Sequence, residues 1–351
     1  MKIGIVGTGN ISSRHLNEFN NIQNVKVEAV CDTSEKNLNQ FLSNNEGLNI
    51  RGYLSLEEML EKEKTFDGIS NTTPDKFHKK TTLQILKSGY NVFCEKPLAE
   101  NYKDAKEMVD AAIQSKKINM VNFTYRESSA YQKLVEIIKS GKIGKPRHVS
   151  ACYYQSWLSS DKWGNWREED KWLWRLSTNH GSNGALGDTG VHIFDFAVNA
   201  VGDIKEIFTD LKTYYDKGDK IKNYTLDAND GFNSLVRFDN GAIGTISNSR
   251  YATGHANSLI LEVFCTKGAL KVELDEERKK WSTLNICIDE NINKMFWETL
   301  ECPKINNNYQ NFIKSIESNS NMQPDFFQGA KIQNIIDKCI ESNKNGRWIN
   351  I

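Results

Sequence analysis

The first 32 residues, MKIGIVGTGNISSRHLNEFNNIQNVKVEAVCD, constrain this chain more than any other stretch. Lys2 to Val6 is a short apolar run fit for a buried parallel strand, and it opens directly into Gly7-Thr8-Gly9-Asn10-Ile11-Ser12. The first glycine allows a tight turn and the second lets the backbone approach a pyrophosphate. Amides at the start of the next helix supply donors and a positive dipole. Ser12 stands where a third glycine is usual and adds only a hydroxymethyl group. A second apolar run, Val25 to Val30, ends in Cys31-Asp32, close to the ~20-residue spacing at which an acid meets ribose hydroxyls. A turn that binds nothing needs only the glycines; the strands on either side and the acid favour a dinucleotide site. Its candidate contacts are Gly7, Thr8, Gly9, Asn10, Ile11 and Asp32. Asp32 repels a 2′-phosphate and no Arg or Lys occupies Thr33-Ser34, so NAD is expected ahead of NADP, with Lys36 the nearest cation.

Composition narrows the partners. The 351 residues imply two domains and enough chain to bury a sizeable core. Lys plus Arg and Asp plus Glu each number 45, so there is no basic excess for a nucleic-acid backbone or an anionic membrane. No apolar run approaches the ~18 residues of a membrane span, and a strand is expected from residue 2, where a signal peptide would need a basic start and a long apolar core. A cytoplasmic protein is expected. Seven scattered cysteines without C-x-x-C spacing are expected to be free, mostly structural thiols.

Beyond Asp32, two more strand ends carry distinctive residues. Gly68 to Asn71 runs into Thr72-Thr73-Pro74-Asp75-Lys76-Phe77-His78, with a helix expected over Lys79 to Ser88. Ligands of doubly wound sheets bind at the carboxyl ends of strands, which makes Thr73 and Pro74 candidate cofactor wall. His78 is either a cofactor contact or a satisfied helix-start histidine. The next strand, Asn91 to Cys94, delivers Glu95-Lys96-Pro97 to the same edge, both Glu95 and Lys96 being candidate cofactor contacts. Asn101 and Asp104 then give a capping-box-like helix start. Asn119 to Phe123 leads into Thr124-Tyr125-Arg126, with Arg126 a candidate substrate contact. A domain boundary near residue 124 separates residues 1–124 from 125–351.

The second domain reads differently. Strand-like runs follow at short spacing over Ile204 to Lys212, Phe232 to Phe238, Ala242 to Asn248, Leu259 to Cys265 and Ala269 to Val272. Asp239-Asn240-Gly241 and Thr266-Lys267-Gly268 are turn signals, so the connections are expected to be antiparallel. A last helix over about 326–342 is expected to pack back on the first domain.

Gly181 to Asp195, GSNGALGDTGVHIFD, is the second concentration of chemistry. Asp188 and His192 stand at i and i+4, where a carboxylate on the same helix face fixes an imidazole tautomer and stabilises the imidazolium. A general base needs that arrangement. Oxidising a secondary alcohol takes a proton from oxygen while hydride leaves carbon. His192 is the candidate for the proton, and Lys96 is a compact charge suited to the same oxygen. Which of the two takes it first is left open by their coupled titration. A metal site from His180, Asp188 and His192 is the weaker reading, and none is expected. Five of the eight tryptophans lie at Trp157, Trp163, Trp166, Trp172 and Trp174. They suit a sugar wall, with Trp157 as the substrate-facing candidate, or a subunit contact.

The glycine turn, Thr73-Pro74 with His78, and Glu95-Lys96-Pro97 in this order resemble the glucose-fructose oxidoreductase and inositol dehydrogenase (Gfo/Idh/MocA) family. The resemblance implies an α/β protein: an N-terminal Rossmann domain with a doubly wound parallel sheet, then an α/β domain on a large open, mainly antiparallel sheet. It implies Lys96, Asp188 and His192 as the catalytic set, and Trp174-Arg175 as a pair near the cofactor. It further implies a homodimer or homotetramer and NAD-dependent interconversion of a secondary hydroxyl and a ketone on a sugar, sugar derivative or cyclitol. Two alternatives keep the cofactor. A glycosidase working by transient oxidation and elimination would release sugar with no net NADH, and a non-catalytic sensor would turn nothing over.

Overall fold

The computed structural model describes residues 1–214, 219–275 and 280–351. Its first elements are β1 (Lys2–Val6), α1 (Ser12–Asn20), β2 (Lys26–Cys31), α2 (Glu35–Ser43), β3 (Arg51–Tyr53), α3 (Leu56–Lys62), β4 (Gly68–Asn71), α4 (Asp75–Lys87), β5 (Asn91–Cys94), α5 (Tyr102–Ser115) and β6 (Asn119–Val121). Next come α6 (Ser129–Lys139), β7 (Pro146–Gln155), α7 (Asp170–Leu173), α8 (Val191–Val201), β8 (Ile204–Lys212), β9 (Lys220–Ile221), β10 (Tyr224–Thr225), β11 (Gly231–Phe238) and β12 (Ile243–Ser249). The chain ends with β13 (Asn257–Cys265), β14 (Gly268–Asp275), β15 (Lys280–Ile288), α9 (Glu290–Lys294), β16 (Glu298–Leu300), α10 (Asn308–Ser318), α11 (Phe326–Asn345) and β17 (Ile349–Asn350).

These form two compact units, Met1–Thr124 with Asn306–Gln333 and Tyr125–Ile305 with Asn334–Ile351. The sequence division carried the second domain unbroken from 125 to 351, whereas the structure returns 306–333 to the first unit. The reason is an apolar stripe on α10: Tyr309, Phe312 and Ile313 are buried in one cluster with Ile3, Ile5, Phe19 and Phe93. The start of α11 is tied to β6 as well, where Val121 donates to the Pro324 carbonyl (2.9 Å) and Phe326 to Asn119 Oδ1 (2.9 Å).

The first unit is a six-stranded parallel sheet in the order β3-β2-β1-β4-β5-β6. Strand order reverses between β1 and β4, and ligands of such sheets bind in the crevice at the carboxyl ends beside that reversal. The glycine turn after β1, the Thr73-Pro74 loop after β4 and the Glu95-Lys96-Pro97 turn after β5 therefore sit on three neighbouring strand ends. Helix α4 starts at Asp75, four residues before the expected Lys79, because Pro74 is its N-cap and Asp75 supplies an acid to the first turn.

The second unit is built on a nine-stranded sheet in the order β16-β15-β14-β13-β7-β12-β11-β8-β17. All neighbours are antiparallel except β7 and β12, which run parallel from His148 beside Ile243 to Tyr154 beside Ser249. Helix α8 is buried on all sides, only Asn199 among Val191–Val201 reaching the surface appreciably. The opposite face of the sheet stays exposed at Leu235, Ile243 and Phe264. No described helix is long and apolar enough to cross a membrane.

Candidate active site

In the first unit, Gly7 takes φ +92°, and a side chain there would meet the Thr72 carbonyl at 2.8 Å; only glycine lets these two strand ends approach. At Gly9 a Cβ would meet no protein atom within 4 Å, so the backbone there lies open to an incoming group. Helix α1 begins at Ile11 with no side-chain cap and no acid in its first turn, while α2, α3 and α5 are capped by Ser34, Ser55 and Asn101. An uncapped N-terminus beside an open glycine fits a pyrophosphate, whose oxygens replace the missing acceptors. Gly9, Asn10 and Ile11 are exposed there and Thr8 is buried. Asp32 Oδ2 accepts from the Thr8 amide (2.7 Å) and hydroxyl (2.9 Å), and Oδ1 accepts from the Ser34 amide (2.8 Å), which fixes this half-exposed carboxylate over the turn. Thr73 is half-exposed and Pro74 exposed, as cofactor wall requires.

The other expected cofactor contacts of this unit turn inward. Glu95 is buried: its Oε1 accepts from His15 Nε2 (2.8 Å) and Asn122 Nδ2 (2.6 Å), and its Oε2 from the Lys96 amide (3.1 Å). Burial works against a charge here, but the His15 hydrogen bond, Asn122 and the charge of Lys96 outweigh it and hold the carboxyl at about 2. His15 Nδ1 meets Ser70 Oγ at 2.7 Å, and Asn122 also reaches Tyr309 Oη at 3.2 Å, so β4, the ends of β5 and β6, and helices α1 and α10 meet in one buried polar cluster. His78 is fully buried, with Nδ1 2.7 Å from the Pro97 carbonyl and Nε2 2.8 Å from that of Thr73. Burial opposes its charge, yet the adjacent Cys94 sulfur, Asp75 and the Pro97 carbonyl push it up to about 10. Glu95 was expected to touch cofactor and its carboxylate is instead engaged within the protein, and of the two readings of His78 the geometry is that of the satisfied helix-start histidine. Lys96, the residue after Glu95, is half-exposed.

In the second unit, Asp188 lies in a π-helical turn, Leu186–Gly190, that leads into α8. The α-helical i, i+4 register expected for Asp188 and His192 is thus replaced by a wider turn. Gly184 (φ +65°) starts it, pressed so close to Asn229 that a Cβ would lie 2.8 Å from its amide nitrogen. Asn229 holds the turn by accepting from the Ala185 amide through its carbonyl (2.7 Å) and from the Leu186 amide through Oδ1 (2.8 Å). The Asp188 side chain, 32% exposed, accepts at Oδ2 from Arg250 Nη2 (3.1 Å).

Arg250 is fully buried, donates from Nη1 to the Arg175 carbonyl (3.2 Å) and lies over the Trp157 ring at 5.0 Å. Burial pulls its guanidinium down from the ordinary value, while Asp188 and Asp230 pull it back. Asp230 is pushed up to about 6 by burial, against the Tyr214 amide and Arg250. His192 is buried, edge-on to Tyr125 with centroids 4.8 Å apart. Tyr125 Oη lies 2.6 Å from Tyr153 Oη and accepts from Asn257 Nδ2 at 2.7 Å, so a polar aromatic cluster backs the imidazole.

Two expected roles are corrected here. Arg126 is not open to substrate: its Nε and Nη2 each donate to Asp195 at 2.6 Å, in a buried bidentate pair that consumes the guanidinium fork. Trp157 is buried at 3% exposure among Leu158, Trp166, Leu173, Leu176 and Leu226, stacked on Trp172 at 5.1 Å, because this excursion from the sheet needs its own core. Arg175 lies over the exposed Trp174 at 4.6 Å and over Trp172 at 5.8 Å. His180 meets Ser177 Oγ (2.9 Å) and Tyr224, and among the described residues no three His, Cys, Asp or Glu side chains group to hold a metal. His15, Asn122, Tyr125, Tyr153 and Arg250 were not anticipated.

Comparison with known proteins now adds identity. Residues 1–123 match the oxidoreductase family with an NAD-binding Rossmann fold, and residues 131–271 match the GFO/IDH/MocA C-terminal domain. Levoglucosan dehydrogenase of Pseudarthrobacter phenanthrenivorans is 24% identical over 315 residues, 80% of this chain and 78% of that protein. Myo-inositol 2-dehydrogenase of Thermotoga maritima is 28% identical over 276 residues, 77% of this chain and 74% of that protein. A solved levoglucosan dehydrogenase in complex with NADH and levoglucosan shares the fold, with a TM-score of 0.85 at 21% identity over 100% of this chain and 99% of that one.

Proposed function

The chain belongs to the Gfo/Idh/MocA family of NAD-binding oxidoreductases, and from that premise we propose that it interconverts a secondary hydroxyl and a ketone on a sugar, sugar derivative or cyclitol. The observation that carries this reading is the order β1-β4-β5 at the switch of the parallel sheet. It sets an uncapped helix start, an exposed Thr73-Pro74 wall and a half-exposed Lys96 on consecutive strand ends. When bound, the dinucleotide supplies the hydride acceptor, held by Gly7 to Ile11 at its pyrophosphate and Asp32 at its ribose. The chain's own residues then handle the proton. Lys96 hydrogen-bonds the substrate oxygen and stabilises alkoxide as it develops. His192, with Asp188 as its acidic partner, accepts the proton in oxidation and returns it in reduction. Relatives named for levoglucosan and for myo-inositol support a ring-bearing polyol as substrate.

A second copy of the chain is proposed to cover the exposed sheet face. Ile243, His148 and Phe264 are in register across β12, β7 and β13, an apolar-aromatic strip on a surface that otherwise needs water. The activity is tested by incubating the protein with NAD and a panel of inositols, aldoses, anhydrosugars and glycosides, following reduced-nicotinamide absorbance and released sugar together. Growth of NADH without sugar release is expected; sugar release with NAD unchanged, or no turnover on any member, overturns the reading.

A further inference from the structure

Lys96 is the middle residue of a turn whose two neighbours are both tied into the protein interior. On one side, Glu95 is held by His15 Nε2 at 2.8 Å and by Asn122 Nδ2 at 2.6 Å. On the other, the Pro97 carbonyl faces His78 Nδ1 at 2.7 Å, while the far nitrogen of the same ring faces the Thr73 carbonyl at 2.8 Å. A carbonyl oxygen only accepts, so a ring that meets one at each nitrogen uses both as donors. A neutral ring would aim a lone pair at one of the two oxygens. Both histidines are 0% exposed, and each has a hydrogen-bonding contact at both ring nitrogens.

The His78 bridge spans two loops with different duties. Thr73 belongs to the proposed cofactor wall and Pro97 adjoins the amine proposed to hold the substrate oxygen. Alcohol oxidation removes hydride and proton from the same CH–OH group, so the wall and the amine must keep one separation. The lysine stem is flexible through four carbons, and its backbone origin is the part the fold can fix. A displacement of about 1 Å in such a group costs on the order of 100-fold in rate.

We propose that His15 and His78 are positioning residues for Lys96: His15 braces the residue before it through Glu95, and His78 ties the residue after it to the Thr73-Pro74 wall. The inference rests on the reading that Lys96 takes part in the reaction. It also makes the wall and the amine one mechanical piece.

The test compares His78→Leu, which removes both donors, with His78→Gln, whose single amide nitrogen carries two N–H groups that can serve both carbonyls. In the full-length protein, His78→Leu is expected to lower kcat by roughly 100-fold while the NAD dissociation constant stays within about threefold, and His78→Gln to recover to within about tenfold of the parent. Hydrogen exchange of the 72–74 and 95–97 segments is expected to quicken in His78→Leu and far less in His78→Gln. A kcat for His78→Leu within twofold of the parent, or unchanged exchange in both segments, overturns the proposal. If His78→Leu does not fold, His78→Ala, which also removes both donors, takes its place: measurably faster exchange in both segments supports the bridge, and parental exchange in either overturns it. His15→Leu against His15→Gln repeats the comparison for the other brace, read at 95–97. Lys96→Met separates the two layers: turnover surviving it removes the role of Lys96, whereas the exchange data still judge the braces.

Discussion

The turn that carries Lys96 and the turn that carries Asp188 are held in opposite ways. Around Lys96 the backbone is pinned from below by buried side chains, His15 through Glu95 and His78 through Pro97, and the functional side chain itself is left half-exposed. Around Asp188 the backbone takes a π-turn, the wider and rarer helix, and a buried arginine grips the carboxylate directly. The first arrangement spends interior polar groups on where a flexible stem begins; the second spends them on where a short side chain ends. That division follows from the side chains. A lysine must sweep to its target, and an aspartate has one rotatable bond before its carboxylate.

The sharpest way to break the comparison is to show that only one turn matters. Lys96→Met and Asp188→Asn are each expected to lower kcat by roughly 1000-fold while leaving NAD affinity within a few-fold, the range typical of lost acid–base groups. Stopped-flow or steady-state NADH formation with the substrate found in the panel measures this. A loss confined to one of the two would leave the other turn structural.

A smaller effect sharpens the contrast at Arg250. Its guanidinium reaches Asp188 and the Arg175 carbonyl at once while lying on Trp157. Arg250→Lys keeps the charge and loses the planar fork, so kcat/KM is expected to fall by on the order of 10- to 100-fold with the fold intact. Arg250→Met leaves a cavity, polar at Asp188 and the Arg175 carbonyl, without its guanidinium, and should lower Tm as well. Equal activity in Arg250→Lys and the parent would mean that Asp188 is placed by the π-turn alone.

The two turns also differ in how far the sequence betrays them. Lys2 to Val6, the Asn101 cap and the Asp239-Asn240-Gly241 hairpin appear as expected because each is a local signal, and the cap is made by Asn101 Oδ1 accepting from the Asp104 amide at 2.9 Å. His15 left a trace too: it falls among Ser12, Leu16 and Phe19 on the buried stripe of α1, a polar residue where the period demands an apolar one. Arg250 left none. Its partner Asp188 lies 62 residues away, and nothing local distinguishes it from a strand-end arginine in solvent. The parallel pairing of β7 with β12 and the strands β15 and β16 were missed for the same reason, since partners distant in sequence decide them. Arg126 misled because a lone arginine at a strand end says nothing about the acid it meets, here Asp195.

The smallest predicted effect separates the units by the sign of their acid response. Glu95, held at about 2 against an ordinary 4.5, is ionised in the folded protein where the unfolded chain would bind a proton. Its contribution is therefore complete above about 4.5 and is lost as pH falls towards 2. Asp230, pushed up to about 6 from 3.8, binds a proton in the folded protein where the unfolded chain has released it. Stability from this group declines as pH rises from 3.8 to 6, by a few kcal/mol at most at roughly 1.4 kcal/mol per unit. Asp230→Asn should flatten the decline of Tm across that window, while Glu95→Gln should weaken the protein most above pH 4.5 and little near pH 2. The decline should be strongest in fragments that report on the second unit, followed by hydrogen exchange at several pH values. A parental slope retained in Asp230→Asn would place the acid response elsewhere, and the opposition between an ionised brace in one unit and a neutralised acid in the other would fall.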